Sequence, residues 1–182
     1  IWVSAVRAGN AGKMYSFLIT CDGVSSSPII SSTSQTIKSD SERGAIEFSP
    51  DGSKAVVTSQ TNANPDHSIY LYDFDNSTGV FSNGIGISAV WGQWWWLAGA
   101  VTNVYDVEFS PDGNRIYVSG GGVGNITTFD ISSGNKKTIY NSKAVIGSGG
   151  SFGALEMGGD GNIYHAGYNF KRISGNLNSG AV

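Results

Sequence analysis

Three nine-residue phrases constrain this chain more than anything else in it. Tyr105 to Gly113 reads YDVEFSPDG, residues 44–52 read GAIEFSPDG, and residues 153–161 read GALEMGGDG. Each leads an apolar residue, a glutamate and a second apolar residue into an Asp-Gly turn. A β-rich run follows each turn: KAVVTS (54–59), RIYVSG (115–120) and NIYHAG (162–167). A strand–turn–strand unit that returns after 61 and then 48 residues marks a radial or stacked repeat. In SPDG the proline pre-sets its own φ, and the glycine takes the left-handed conformation that closes a type I hairpin turn. In the third copy Gly159 replaces the proline, so the unfolded chain has more entropy to lose there.

The rest of the chain can be read against that unit. Residues 1–32 are predicted to hold two strands, Ile1–Val6 and Met14–Thr20, and part of a third near Pro28–Ser31. Residues 33–43 are polar and read as a crossing loop. Residues 44–84 form a complete unit with strands at 44–49, 53–59, 68–74 and 80–82. Residues 104–140 repeat the order at 104–109, 114–119, 125–130 and 135–140. The third turn repeats too: Phe74-Asp75 with Ser77-Thr78-Gly79 aligns with Phe129-Asp130 and Ser132-Ser133-Gly134. Residues 151–174 begin a third copy. The expectation is an all-β chain, a single β-propeller segment over 1–182, with about two full and two incomplete four-stranded blades of the WD40, YVTN or lactonase style. Propellers close with about four to eight blades. The chain opens on Ile1 inside a strand-like run and stops at Val182 without a closing element. It therefore reads as a fragment of a larger chain, with the missing blades supplied by other domains or another chain.

Composition agrees and excludes several classes. Charged residues make up 14% of the 182 and glycine contributes 26, a balance suited to frequent reversals. Net charge is −3 with no Lys/Arg stripe, so the electrostatic footprint of nucleic-acid binding is missing. The most apolar stretch, Ala89 to Val101, is too short to span a bilayer. Cys21 is the sole cysteine and is expected to be a buried or half-buried thiol.

Taken in order, MYSFLITCDGVSSSPIIS, GAIEFSPDG, IYLYDFDNSTGVFSN, VYDVEFSPDGNRIYVSG and GALEMGGDGNIY resemble the β-propeller region of secreted Bacteroidetes surface proteins. These are the gliding-motility-associated or PKD-domain-containing proteins exported by type IX secretion. The likeness covers about 1–84 and 104–167. It implies an extracellular or cell-surface propeller with a part in adhesion or surface display, and it brings no catalytic residues. Residues 85–103 (GISAVWGQWWWLAGAVTNV) depart from it as a Trp-rich insertion.

That insertion holds the most unusual local feature. Trp91, Trp94, Trp95 and Trp96 lie within six residues of one another. Aromatic faces stack on sugar rings and anchor protein interfaces, and they equally well seal a gap between blades. Glu47, Glu108 and Glu156 recur at one blade position and are candidates to line a central channel; the plain alternative is a solvated face. Three carboxylates alone are too few for a hard cation. Asp73 to Gly79 looks superficially like a calcium loop but lacks its glycine and closing glutamate, and reads as a turn with Asx-type capping. Gly120 to Gly124 reads as a hairpin loop, because no helix follows to cradle a phosphate. His67 and His165 are not placed by any motif as catalytic bases.

The functional expectation is a non-catalytic extracellular module for scaffolding, adhesion, or protein or glycan binding. No cofactor, metal, nucleic-acid partner or membrane span is called for. The alternatives are a lactonase-like propeller hydrolase and an assembly subunit completed by another chain.

Overall fold

A computed structural model describes residues 1–6, 12–33, 35, 44–59, 69–87, 101, 104–120, 125–148, 153–167 and 170–178. The chain folds into four small antiparallel sheets in chain order, a four-bladed propeller-like arrangement. The first holds β1 (Trp2–Val6), β2 (Lys13–Thr20), β3 (Gly23–Val24) and β4 (Ile29–Ser32), with β1 on one side of β2 and both β3 and β4 on the other. The second runs β5 (Ile46–Phe48), β6 (Lys54–Thr58), β7 (Ile69–Asp75), β8 (Val80–Gly86). The third runs β9 (Val104–Phe109), β10 (Arg115–Gly120), β11 (Asn125–Asp130), β12 (Ala144–Ser148). The fourth has β13 (Ala154–Met157), β14 (Ile163–Ala166) and β15 (Phe170–Ile173).

Strand periodicity explains how the sheets stack. Successive side chains of a strand point to opposite faces. In β7, Tyr70, Tyr72 and Phe74 enter a core shared with the first sheet's Met14 and Trp2. The intervening Ile69 and Leu71 enter a second core with Val107, Phe109, Ile116 and Val118 of the third sheet. In β10 the same division holds. Ile116 and Val118 face back to the second sheet, while Tyr117 packs forward against Leu155, Ile163 and Ile173 of the fourth. Among the described residues three apolar cores therefore lie between consecutive sheets.

The Asp-Gly turns form as expected. Gly52, Gly113 and Gly161 have φ of 68°, 70° and 75°. Ser49 and Ser110 fix the first two turns identically. Each hydroxyl donates to the turn aspartate (2.6 Å) and accepts the N–H of Lys54 or Arg115 (2.9 Å). The third copy has glycine instead, and the reason is Tyr164. A Cβ on Gly158 would lie 2.6 Å from the Tyr164 ring, whose hydroxyl takes over by donating to Asp160 (2.7 Å). Asp75 and Asp130 cap the repeated third turn, accepting from the N–H of Ser77 and Ser132.

Two expectations are corrected. The strand expected at 135–140 is a helix, α1 (Lys136–Asn141), and the fourth strand follows at 144–148. Asn135 caps it by accepting from the N–H of Lys137 and Thr138 (both 3.1 Å), and the adjacent pair Ile139-Tyr140 is buried together, which a period of two does not allow. Cys21 is exposed, because it occupies the tight turn between β2 and β3. No helix among the described residues is long and apolar enough to cross a membrane.

Candidate functional site

Glu47, Glu108 and Glu156 occupy the same place on the first strands of their sheets, β5, β9 and β13. They pair across to Val56, Tyr117 and Tyr164. Their surroundings differ. Glu108 is buried, Glu47 half-buried and Glu156 exposed. The charges nevertheless feel one another. Burial, and then the charge of Glu108, push the Glu47 carboxyl up to about 7 from its ordinary 4.5, with Glu156 and Asp106 adding to the rise. Burial also raises Glu108 and Asp106.

Two of these carboxylates are spent on backbone. Glu108 accepts from the N–H of Phe109 through Oε1 and from Met157 of the next sheet through Oε2, both at 2.8 Å. Asp106 does likewise with Val107 (2.9 Å) and Leu155 (2.8 Å). Around them the third and fourth sheets are joined by further polar links. Ser119 Oγ donates to the Gly153 carbonyl, the Tyr117 hydroxyl donates to the Leu177 carbonyl, and Arg115 Nε donates to the Asn178 carbonyl (3.0 Å).

His165 lies in the same seam. It is fully buried, and among the described residues neither ring nitrogen has a hydrogen-bond partner. Gly153 and Gly167 make room for it: a Cβ on the first would sit 2.6 Å from Nε2, and on the second 2.5 Å from Cε1. Burial lowers its pKa, Lys171 lowers it further, and Asp106 opposes both. Among the described residues no three His, Cys, Asp or Glu side chains come together as a metal-ion ligand set.

The three recurrent glutamates were legible from the sequence; Asp106, Ser119 and the burial of His165 were not. The available signal was departure from the repeat. Asp106 stands where the other copies have Ala45 and Ala154, and His165 stands where they have Val57 and Val118. The tryptophan cluster Trp91, Trp94, Trp95 and Trp96 lies outside the described residues, as do His67 and Gly121–Gly124.

No protein-family profile matches the chain, and no curated protein does. Solved structures do resemble it. A protein from Lactobacillus plantarum matches 99% of this chain over 50% of its own, at 16% identity and TM-score 0.63. A Bacteroides uniformis protein assigned as a 6-phosphogluconolactonase matches 90% of this chain over 43% of its own, at 18% identity and TM-score 0.52. An auxiliary nutrient binding protein from Bacteroides thetaiotaomicron matches 93% over 37%, at 13% identity and TM-score 0.52. The chain thus spans half or less of the length of these structures. At such identities the likeness speaks for the fold alone.

Proposed function

We propose that this chain is a non-catalytic β-propeller module for scaffolding, adhesion or binding, displayed outside the cell as part of a larger polypeptide. The observation that carries the reading is the fate of the seam's polar groups. Asp106 and Glu108 direct both carboxylate oxygens to backbone N–H groups, and Ser119 donates to a carbonyl. Groups bonded in this way hold blades together and are not poised to attack a substrate. The display and export elements rest on the ordered resemblance to secreted Bacteroidetes surface proteins. A structural neighbour named as a nutrient binding protein is consistent with a binding role at the level of fold. Glycan-array or pull-down binding that disappears in Trp94→Ala or Trp95→Ala, with an unchanged circular dichroism spectrum, supports adhesion.

A second reading, a lactonase-like hydrolase, is favoured by one observation. Glu47 is a half-buried carboxyl raised to about 7, in the range suited to general acid–base work. Sugar-lactone hydrolysis that is present in the wild type and lost in Glu47→Gln would replace the first reading with this one.

A further inference from the structure

The seams between sheets use equivalent positions, and one pair of positions changes character from seam to seam. Between the second and third sheets, Ala45 and Val118 share one apolar core. One seam further on, the same two positions carry Asp106 and His165. Val57 holds the histidine's place between the first and second sheets. Two apolar side chains have thus become two titratable ones, and only in the seam of the third and fourth sheets.

Asp106 and His165 feel each other but do not bond. Asp106 gives its oxygens to the N–H groups of Val107 and Leu155, and Leu155 stands directly across from His165. The natural counter-ion of a protonated ring is therefore already engaged. The other groups around the ring offer no substitute. From β15, Lys171 lies directly across and adds a like charge. From β9, Glu108 is held by Phe109 and Met157. From β10, the Ser119 hydroxyl is turned to the Gly153 carbonyl and the Tyr117 hydroxyl to that of Leu177. From β13, Glu156 is exposed, two residues' alternation away from the inward face of Leu155. A proton on this fully buried ring would leave a charge with neither water nor an acceptor. The docked seam holds His165 neutral, and hydrating an added charge requires the sheets to part.

We propose that His165 makes the seam of the third and fourth sheets an acid-operated release: a proton taken from solvent onto its ring opens this seam and leaves the seam of the second and third sheets closed. The apolar core of Tyr117, Ile126, Leu155, Ile163, Ile173 and Leu177 is what opening uncovers. Burial raises Asp106 and Glu108, so their own proton uptake favours the closed seam and works against the histidine. The histidine's part is accordingly read as a difference between wild type and a variant that lacks it.

Amide hydrogen exchange of the 182-residue chain is measured at pH 7.5 and 5.5, each rate being divided by that of an unstructured peptide at the same pH. His165→Val, carrying the residue of the other two copies, is measured alongside. Once the seam is open the ring titrates near its ordinary 6.5, so the open population rises by up to about tenfold for each pH unit below that value. Between pH 7.5 and 5.5 the wild type is expected to lose up to about tenfold more protection in β13, β14 and β15 than His165→Val does. The first sheet, which meets the second through Val57, should show no such difference. A histidine ring titration on the wild type gives a second measurement that needs no variant at position 165. His67→Gln, which changes the other histidine of the chain, identifies the resonance and should keep the wild-type loss. The ring of His165 is expected to titrate below 6.5, over the same pH range in which the fourth sheet loses protection. The proposal is overturned by an equal pH dependence of the fourth sheet in wild type and His165→Val, by a loss shared equally with the first sheet, or by a His165 ring that titrates at or above 6.5 while the fourth sheet stays protected.

Discussion

Glu47→Gln should stabilise the chain at alkaline pH and leave it unchanged in acid. The reasoning starts from the Glu47 carboxyl, half-buried on β5 and facing the charge of Glu108, which stands at about 7 when folded against an ordinary 4.5. A carboxyl raised in this way favours the protonated folded state. Its contribution to stability is fully present below about pH 4.5 and is lost as pH rises through about 7. The rise corresponds to about 3 kcal/mol if taken whole, at 1.36 kcal/mol per pH unit. Glu47 is partly open to water, and screening reduces the figure to about 1–2 kcal/mol. Glutamine has the shape of the protonated acid and cannot ionise. The variant should therefore match wild type at pH 4 and exceed it at pH 8.5, by roughly 2–8 °C in Tm for a chain of this size. Urea unfolding at the two pH values checks the same difference as a free energy. An offset that is equal at both pH values would refute the reasoning, since a packing change does not titrate.

Other perturbations test the seam between the third and fourth sheets. Glu108→Ala leaves the N–H groups of Phe109 and Met157 without their acceptor and should cost about 1–3 kcal/mol in chemical denaturation. Gly153→Ala drives a methyl to 2.6 Å from both the Ala166 carbonyl and His165 Nε2, where backbone cannot give way; a loss of about 1–3 kcal/mol is expected from the same measurement. His165 has its pKa lowered, so its contribution is present above the ordinary histidine pKa of 6.5 and is lost as pH falls through the folded value. His165→Val, the residue of the other two copies, should lose less Tm than wild type between pH 7 and pH 5. Trp2→Phe removes the donor to the Asn76 carbonyl and should lower stability by about 1 kcal/mol, read by thermal melting.

The repeat phrases carried the architecture because the same physics acts at each copy. The Asp-Gly turn, the Ser49 and Ser110 hydroxyls and the capping Asp75 and Asp130 are local devices, so sequence alone places them. Where the expectation failed, a non-local need prevailed. Residues 136–141 wind into α1 because Asn135 caps them and Ile139 is needed in the core between the second and third sheets. The candidate site was half visible. Recurrence identified the three glutamates but not their unequal burial, which depends on how neighbouring sheets close over each of them. Gly158 stands where the other copies have Ser49 and Ser110, and its neighbour, the Tyr164 ring, is apparent only in three dimensions.

Since each apolar core of the described residues is owned jointly by two adjacent sheets, the molecule behaves as a row of coupled units. Among the described residues the second and third sheets are clasped from both sides, whereas the first and fourth each have one such clasp. Stability in such a row is approximately a sum of intrinsic and nearest-neighbour terms. Opening should begin at the outer sheets and spread inward, so that the Val56–Val118 region is the last to surrender its protons to solvent exchange.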